Sequence, residues 1–116
     1  MAAAALEQSG MRIVARNWRT PEAELDLIAL AADGTCVFCE VRSRTGEASG
    51  DPLETIDARK RARVIRAARL FLASADAPPI IVGATAYRFD AVGVTFFADG
   101  RPPRLVHVPA AFEVES

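Results

Sequence analysis

The chain has 116 residues, 51% hydrophobic and 25% charged, with a net charge of −1, a length that suits one globular domain with a real core and not two. The near-neutral balance excludes broad electrostatic attraction to nucleic acid, so any such contact has to come from a local patch. No apolar run approaches the roughly 18 residues of a spanning helix, and the opening MAAAALEQSG lacks a basic leader, so a cytoplasmic protein with no membrane partner is expected.

In chain order, AAAALEQS followed by Gly10 reads as a short helix closed by glycine. Residues 11–19, with Ile13, Val14 and Trp18, read as a strand that Thr20-Pro21 breaks. Two strands follow, at about 24–31 and 35–43. The stretch RTGEASGDPLE (44–54) reads as a mobile loop. Residues 55–75 are helical in pattern and end at DAPP (76–79); two more strands are expected at 85–97 and 104–109, with ADGRPP between. The order predicts one α/β layered domain containing a three-strand antiparallel meander.

Cys36 and Cys39 form a C-x-x-C. A redox pair would sit at a helix start, and a zinc site would need a second Cys/His pair. Here the motif is mid-strand, where residues three apart point to opposite faces, so both thiols are read as small core residues.

The hairpin at 23–44 carries charges inside its apolar runs: Glu24, Asp26, Glu40 and Arg42. A two-residue Asp33-Gly34 turn would mix apolar and charged positions on both faces. A three-residue Ala32-Asp33-Gly34 loop, with Gly34 at positive φ, sorts them instead. Asp26 then faces Glu40, Glu24 faces Arg42 and Ile28 faces Phe38, while Leu25, Leu27 and Ala29 share the other face with Val41, Cys39 and Val37. Opposed carboxylates with Cβ atoms about 4.5–5.5 Å apart repel. They call for a proton, a basic neighbour or a metal ion. The plainer alternative is an exposed edge with a Glu24–Arg42 cross-strand pair.

ARNWRTPEAELDLIAL, VFCEVRSR, DPLETIDARKRARVIRAARLFL and YRFDAVGV together resemble the YraN family of predicted endonucleases, from about Leu6 to Phe112. That family is related to archaeal Holliday junction resolvases. The resemblance implies a restriction-endonuclease-like fold, a mixed central sheet flanked by helices, and a divalent-metal-dependent endonuclease acting on structured or branched DNA. By the same resemblance Asp26, Glu40 and the Val41 carbonyl would hold Mg²⁺ or Mn²⁺, an all-oxygen set that suits either ion. The ion would polarise the phosphoryl oxygen and activate water, helped by the family's third-strand lysine. Glu24, Lys60 and Asp90 would stand behind the site or face substrate; Lys60 matches the lysine of the family's following helix. Resolvase relatives dimerise, which extends the analogy to a homodimer.

Three positions depart from the family pattern. Arg42 stands at the lysine position of the catalytic set, and a guanidinium stays protonated. Ala23 replaces the glycine before E-x-D, and the acidic residue of the family's first helix would fall before Met1, with Glu7 out of register. A member that binds nucleic acid without cutting it, or a protein-interaction module, are the competing expectations.

On the 55–75 helix, Val64, Ile65, Ala68, Phe71, Leu72 and Ala75 form one apolar stripe. Arg59, Arg63 and Arg66 line the opposite face with Lys60 to one side, reading either as a DNA-contacting surface or as a solvated face. His107 and Trp18 are read as structural residues. Asp90 is read as either supporting the site or serving strand packing.

Overall fold

A computed structural model describes residues 1–46 and 56–112, so most of the expected loop at 44–54 lies outside the described residues. The elements are α1 (Ala2–Gln8), β1 (Arg12–Arg19), β2 (Glu24–Leu30), β3 (Thr35–Thr45), α2 (Ala58–Ala73), α3 (Pro79–Val82), β4 (Ala86–Phe96) and β5 (Arg104–Phe112). The strands form one open sheet in the order β1-β2-β3-β4-β5. All neighbours are antiparallel except β3 and β4, which run parallel from Thr35–Ala86 to Thr45–Phe96, the connection that needs a helical crossover.

The sheet is covered on both sides. Val64, Ala67, Ala68 and Phe71 of α2, with Ile81 of α3, pack on Ile28, Cys36, Phe38 and Phe89. On the other face Ala2, Ala3 and Leu6 of α1 pack with Leu27, Ala29, Val37, Cys39, Val92 and Val94. Among the described residues no helix is long and apolar enough to cross a membrane.

As far as the ladder runs, the hairpin register is the one expected of the three-residue loop. Leu27 pairs with Cys39, Ile28 with Phe38, and Ala29 with Val37. The turn closes through Ala31 N–H to Thr35 O (2.9 Å), and Gly34 takes φ 89°. Both cysteines are free and buried, on opposite faces, and burial pushes each thiol up to about 12. They are packing residues.

Several expectations need correction. β3 runs two residues further than its pattern suggested, because β4 accompanies it along its whole length. α2 starts only at Ala58, where the Asp57 carboxylate caps it by accepting the Lys60 N–H at 2.9 Å, and stops at Ala73, so Ala75 lies beyond the helix. Ala67, absent from the expected stripe, is buried instead. Pro79 begins the short helix α3 rather than only ending α2, as proline at a first helical position does. Leu25 packs on the α2 face with Ile28, not beside Leu27.

Candidate metal and nucleic-acid site

The antiparallel ladder between β2 and β3 stops at Leu27–Cys39. Ladder bonds alternate, and since Ala31 bonds Thr35, the next partners in line would be Leu25 and Val41. Val41 N–H does not go to the Leu25 carbonyl. It donates to Asp26 Oδ2 at 2.8 Å. An aspartate side chain has replaced a backbone acceptor, and β2 peels away from β3 at that residue. Asn17, opposite Asp26 in the β1–β2 register, adopts φ 50°, so the distortion spans both neighbours of the Asp26 position. This swing carries Leu25 to the α2 face. It also removes the expected cross-strand partner of Arg42: Glu24 lies opposite Arg19 on β1 and pairs with it at 3.7 Å, both side chains exposed.

The peeled end is where the charges gather. Glu40 follows Phe38 on the α2 side of β3 and is only 6% exposed. Its Oε1 lies 3.0 Å from the Lys60 ammonium, delivered by the first turn of α2. Burial first, and the adjacent Asp26 charge second, push the Glu40 carboxyl above the ordinary carboxylate range; Lys60 opposes both but only in part. Asp26 is half-buried and lines an opening of about 360 Å³ with Met1, Arg16, Asn17 and Val41. The N–H and C=O of a strand residue leave on the same side, so the Val41 carbonyl also faces the β2 side, beside the carboxylate that holds its N–H. Arg42 is half-buried, two residues beyond Glu40 and opposite Gly93.

Lys60 also lines a groove of about 420 Å³ between the β1–β2 turn and α2, with Arg19, Glu22, Glu24, Arg63 and Arg66. The turn is fixed locally: Thr20 Oγ1 accepts the N–H groups of Glu22 (3.2 Å) and Ala23 (3.1 Å). Of the helix arginines expected together, Arg63 and Arg66 line this groove, whereas Arg59 is exposed outside its lining. Arg19 was not among the sequence candidates; its place in an edge strand gave no sign that the β1–β2 turn would face α2.

Asp90 belongs elsewhere. It pairs with Cys39 across the β3–β4 ladder and so lies on the face away from Glu40. It is 0% exposed and accepts from Arg88 Nε (2.8 Å), Arg88 Nη2 (3.0 Å) and Ala110 N–H (2.9 Å), with His107 Nε2 at 2.8 Å. Burial alone would raise its carboxyl, but these partners outweigh burial and hold it below the usual range. Of its two readings, strand packing is the one the geometry carries, and His107 is structural with it. Trp18 is structural too: it stacks edge-on against Phe71, centroids 5.2 Å apart, and donates to Asp76 Oδ2 at 2.8 Å.

Among the described residues no group of three or more His, Cys, Asp and Glu side chains gathers around one point. The Asp26–Glu40 pair with a backbone carbonyl still fits an ion such as Mg²⁺, which is held by one or two carboxylates and keeps several waters. The donors are hard oxygens, and the buried acid beside a second acid is a place where positive charge is stabilising.

The family model described as "Uncharacterised protein family UPF0102" matches residues 1–94. A UPF0102 protein of Nitratidesulfovibrio vulgaris is 43% identical over 113 residues, covering 97% of this chain and 78% of that protein. A UPF0102 protein of Nocardia farcinica is 43% identical over 112 residues, covering 97% of this chain and 83% of its own length. One from Pseudomonas paraeruginosa is 43% identical over 117 residues, at 97% and 86%. With a match over most of its length and relatives this similar, the chain belongs to the UPF0102 (YraN) family.

Proposed function

We propose that the protein is a divalent-metal-dependent endonuclease of the restriction-endonuclease-like fold, hydrolysing phosphodiester bonds in structured or branched DNA. The observation that supports this reading is the buried Glu40, its carboxyl raised in part by the adjacent Asp26, held 3.0 Å from Lys60, which itself lines a groove with Arg19, Arg63 and Arg66 and the acids Glu22 and Glu24. Asp26, Glu40 and the Val41 carbonyl would hold Mg²⁺ or Mn²⁺, which when bound supplies Lewis acidity to a phosphodiester.

The chain's own residues do the rest. Arg19, Arg63 and Arg66 bind backbone phosphates, with Arg59 extending the contact along the outer face of α2. Glu40, kept from bulk water, holds positive charge against the scissile group. Lys60 offers a compact ammonium on a flexible stem, the part that Arg42, a wide planar fork, performs poorly from the strand. The test is a cleavage screen over linear, flapped and four-way DNA with Mg²⁺ or Mn²⁺. Cutting that disappears in Asp26→Asn and Glu40→Gln is expected, and cutting retained by both variants would refute the reading.

A second reading, binding without cutting, is favoured by Arg42 at the position where the family pattern has lysine. Salt-dependent DNA binding with no cleavage under any ion would select it. Absence of DNA binding altogether would leave a protein-interaction module.

A further inference from the structure

We infer that Lys60 is a stand-in cation: its ammonium occupies Glu40 until a divalent ion displaces it into the arginine-lined groove, so ion binding and phosphate binding are coupled through one side chain. This rests on the metal-site reading above and adds a regulatory element to it.

Two carboxylates drawn together, one of them 6% exposed, are costly without a counter-charge. The Lys60 ammonium at 3.0 Å from Glu40 supplies it. A divalent ion seated on the same carboxylates would meet that ammonium at close range, and like charges repel. One of the two has to leave. The backbone of Lys60 cannot, since its N–H is bonded to the Asp57 cap at 2.9 Å. The side chain can: its four-carbon stem is flexible and its head strongly hydrated. It is 23% exposed and already lines the groove with Arg63 and Arg66, so it has a second position facing solvent. A phosphate in that groove gives the displaced ammonium an anionic partner and makes its departure from Glu40 more favourable. By linkage, polyanion binding then tightens ion binding, and the reverse holds to the same degree.

The experiment is Mn²⁺ titration by calorimetry on the full chain at constant pH. The forms compared are the parent, Lys60→Met, Lys60→Gln and Asp26→Asn/Lys60→Met, each checked for folding by its thermal melt. The expected result is about tenfold tighter Mn²⁺ binding in either Lys60 variant, inside the roughly 5–150-fold span of coupled sites. The double variant should lose it. Binding detectable only in the Lys60 variants would support the inference equally. Parent binding that is unchanged or weakened by both substitutions would overturn the stand-in role and leave the carboxylate site standing. No binding by any form would overturn the metal-site reading, and this inference with it. The parent alone is then titrated in the presence of a short DNA duplex, where tighter Mn²⁺ binding supports the coupling and unchanged binding overturns it.

Discussion

Asp90→Asn tests the structural assignment most directly, because it swaps one oxygen for an NH₂ with almost no change of shape. The carboxylate now serves three N–H groups of Arg88 and Ala110 together with His107. If the amide oxygen keeps Arg88 Nε and Ala110 N–H, the new NH₂ faces Arg88 Nη2 and His107. A neutral imidazole can turn a lone pair toward it, but a guanidinium has no acceptor, so one donor–donor contact is unavoidable. Removing one partner of a buried ion pair costs about 3–5 kcal/mol. The Arg88 side chain is 28% exposed and can partly rehydrate, which places the expected loss near the lower end, about 3 kcal/mol. At about 4 °C per kcal/mol for a chain of this size, Tm should fall by roughly 12 °C.

The pH dependence has a definite sign. Asp90's carboxyl is held below its ordinary range, so its contribution is present above the unfolded pKa of about 3.9 and is lost as pH falls through the lowered folded value. The gap in Tm between parent and variant should therefore be constant near neutrality and shrink in acid. Asp26→Asn is the comparison. It leaves an oxygen for the Val41 N–H and removes a charge beside Glu40, so its effect should stay within about 1 kcal/mol. Thermal melts of both variants between pH 3 and 8 decide the matter. An Asp90→Asn loss no larger than that of Asp26→Asn would refute the assignment of Asp90 as a packing residue.

Other outcomes follow from the site. Because burial and Asp26 raise the Glu40 carboxyl, its ionisation opposes folding as pH rises through the interval above the ordinary value; Glu40→Gln should raise Tm at pH 7–8, with the gain fading toward pH 4, while abolishing Mn²⁺ binding. A lower Tm at neutral pH would contradict that electrostatic picture. Replacing Arg19, Arg63 and Arg66 by alanine should reduce the log–log salt slope of duplex binding by roughly 0.9 per lost phosphate contact. An unchanged slope would clear the groove of any role. Arg42→Lys should raise Mg²⁺-dependent cleavage of branched DNA about tenfold, which requires only about 1.4 kcal/mol of transition-state stabilisation; single-turnover rates test this, and brisk parent cleavage with no gain would make Arg42 a competent residue.

The meander, the crossover helix and the hairpin loop were legible because each has a local cause: alternation in β2 and β3, a 3.6-residue stripe on α2, a glycine that must take positive φ at 34. What escaped depends on contacts between distant segments. Lys60 was expected near the site only through the family resemblance; its contact with Glu40 needs α2 laid across β3, and a helical pattern gives the face a lysine occupies but not the strand it meets. The Leu25 face and the Glu24 partner were misplaced for one reason. Register reasoning extends a ladder by strict alternation, and the ladder ends where Asp26 takes over a backbone bond.

The same substitution of side chain for ladder occurs twice, and the difference between the two cases is the strongest argument about function. Between β4 and β5 the pairing slips between Phe89 and Ala91; Ala110 takes φ 50°, and its N–H goes to Asp90. In sequence both positions look alike, an aspartate interrupting an apolar strand. Asp90 is enclosed and surrounded by donors, two from Arg88 and one from the backbone, with His107 alongside. Such a site is electrostatically complete. Among the described residues Asp26 accepts from one backbone N–H, and its charge helps to raise the carboxyl of a second acid, Glu40. Among the described residues the ion pair given to these acids is the one from Lys60 to Glu40, and the Asp26 side lines an opening with Arg16 and Asn17. That Glu40 keeps a carboxyl raised by burial and by Asp26, whereas Asp90 is held low by its donors, is what supports the metal-site reading proposed above.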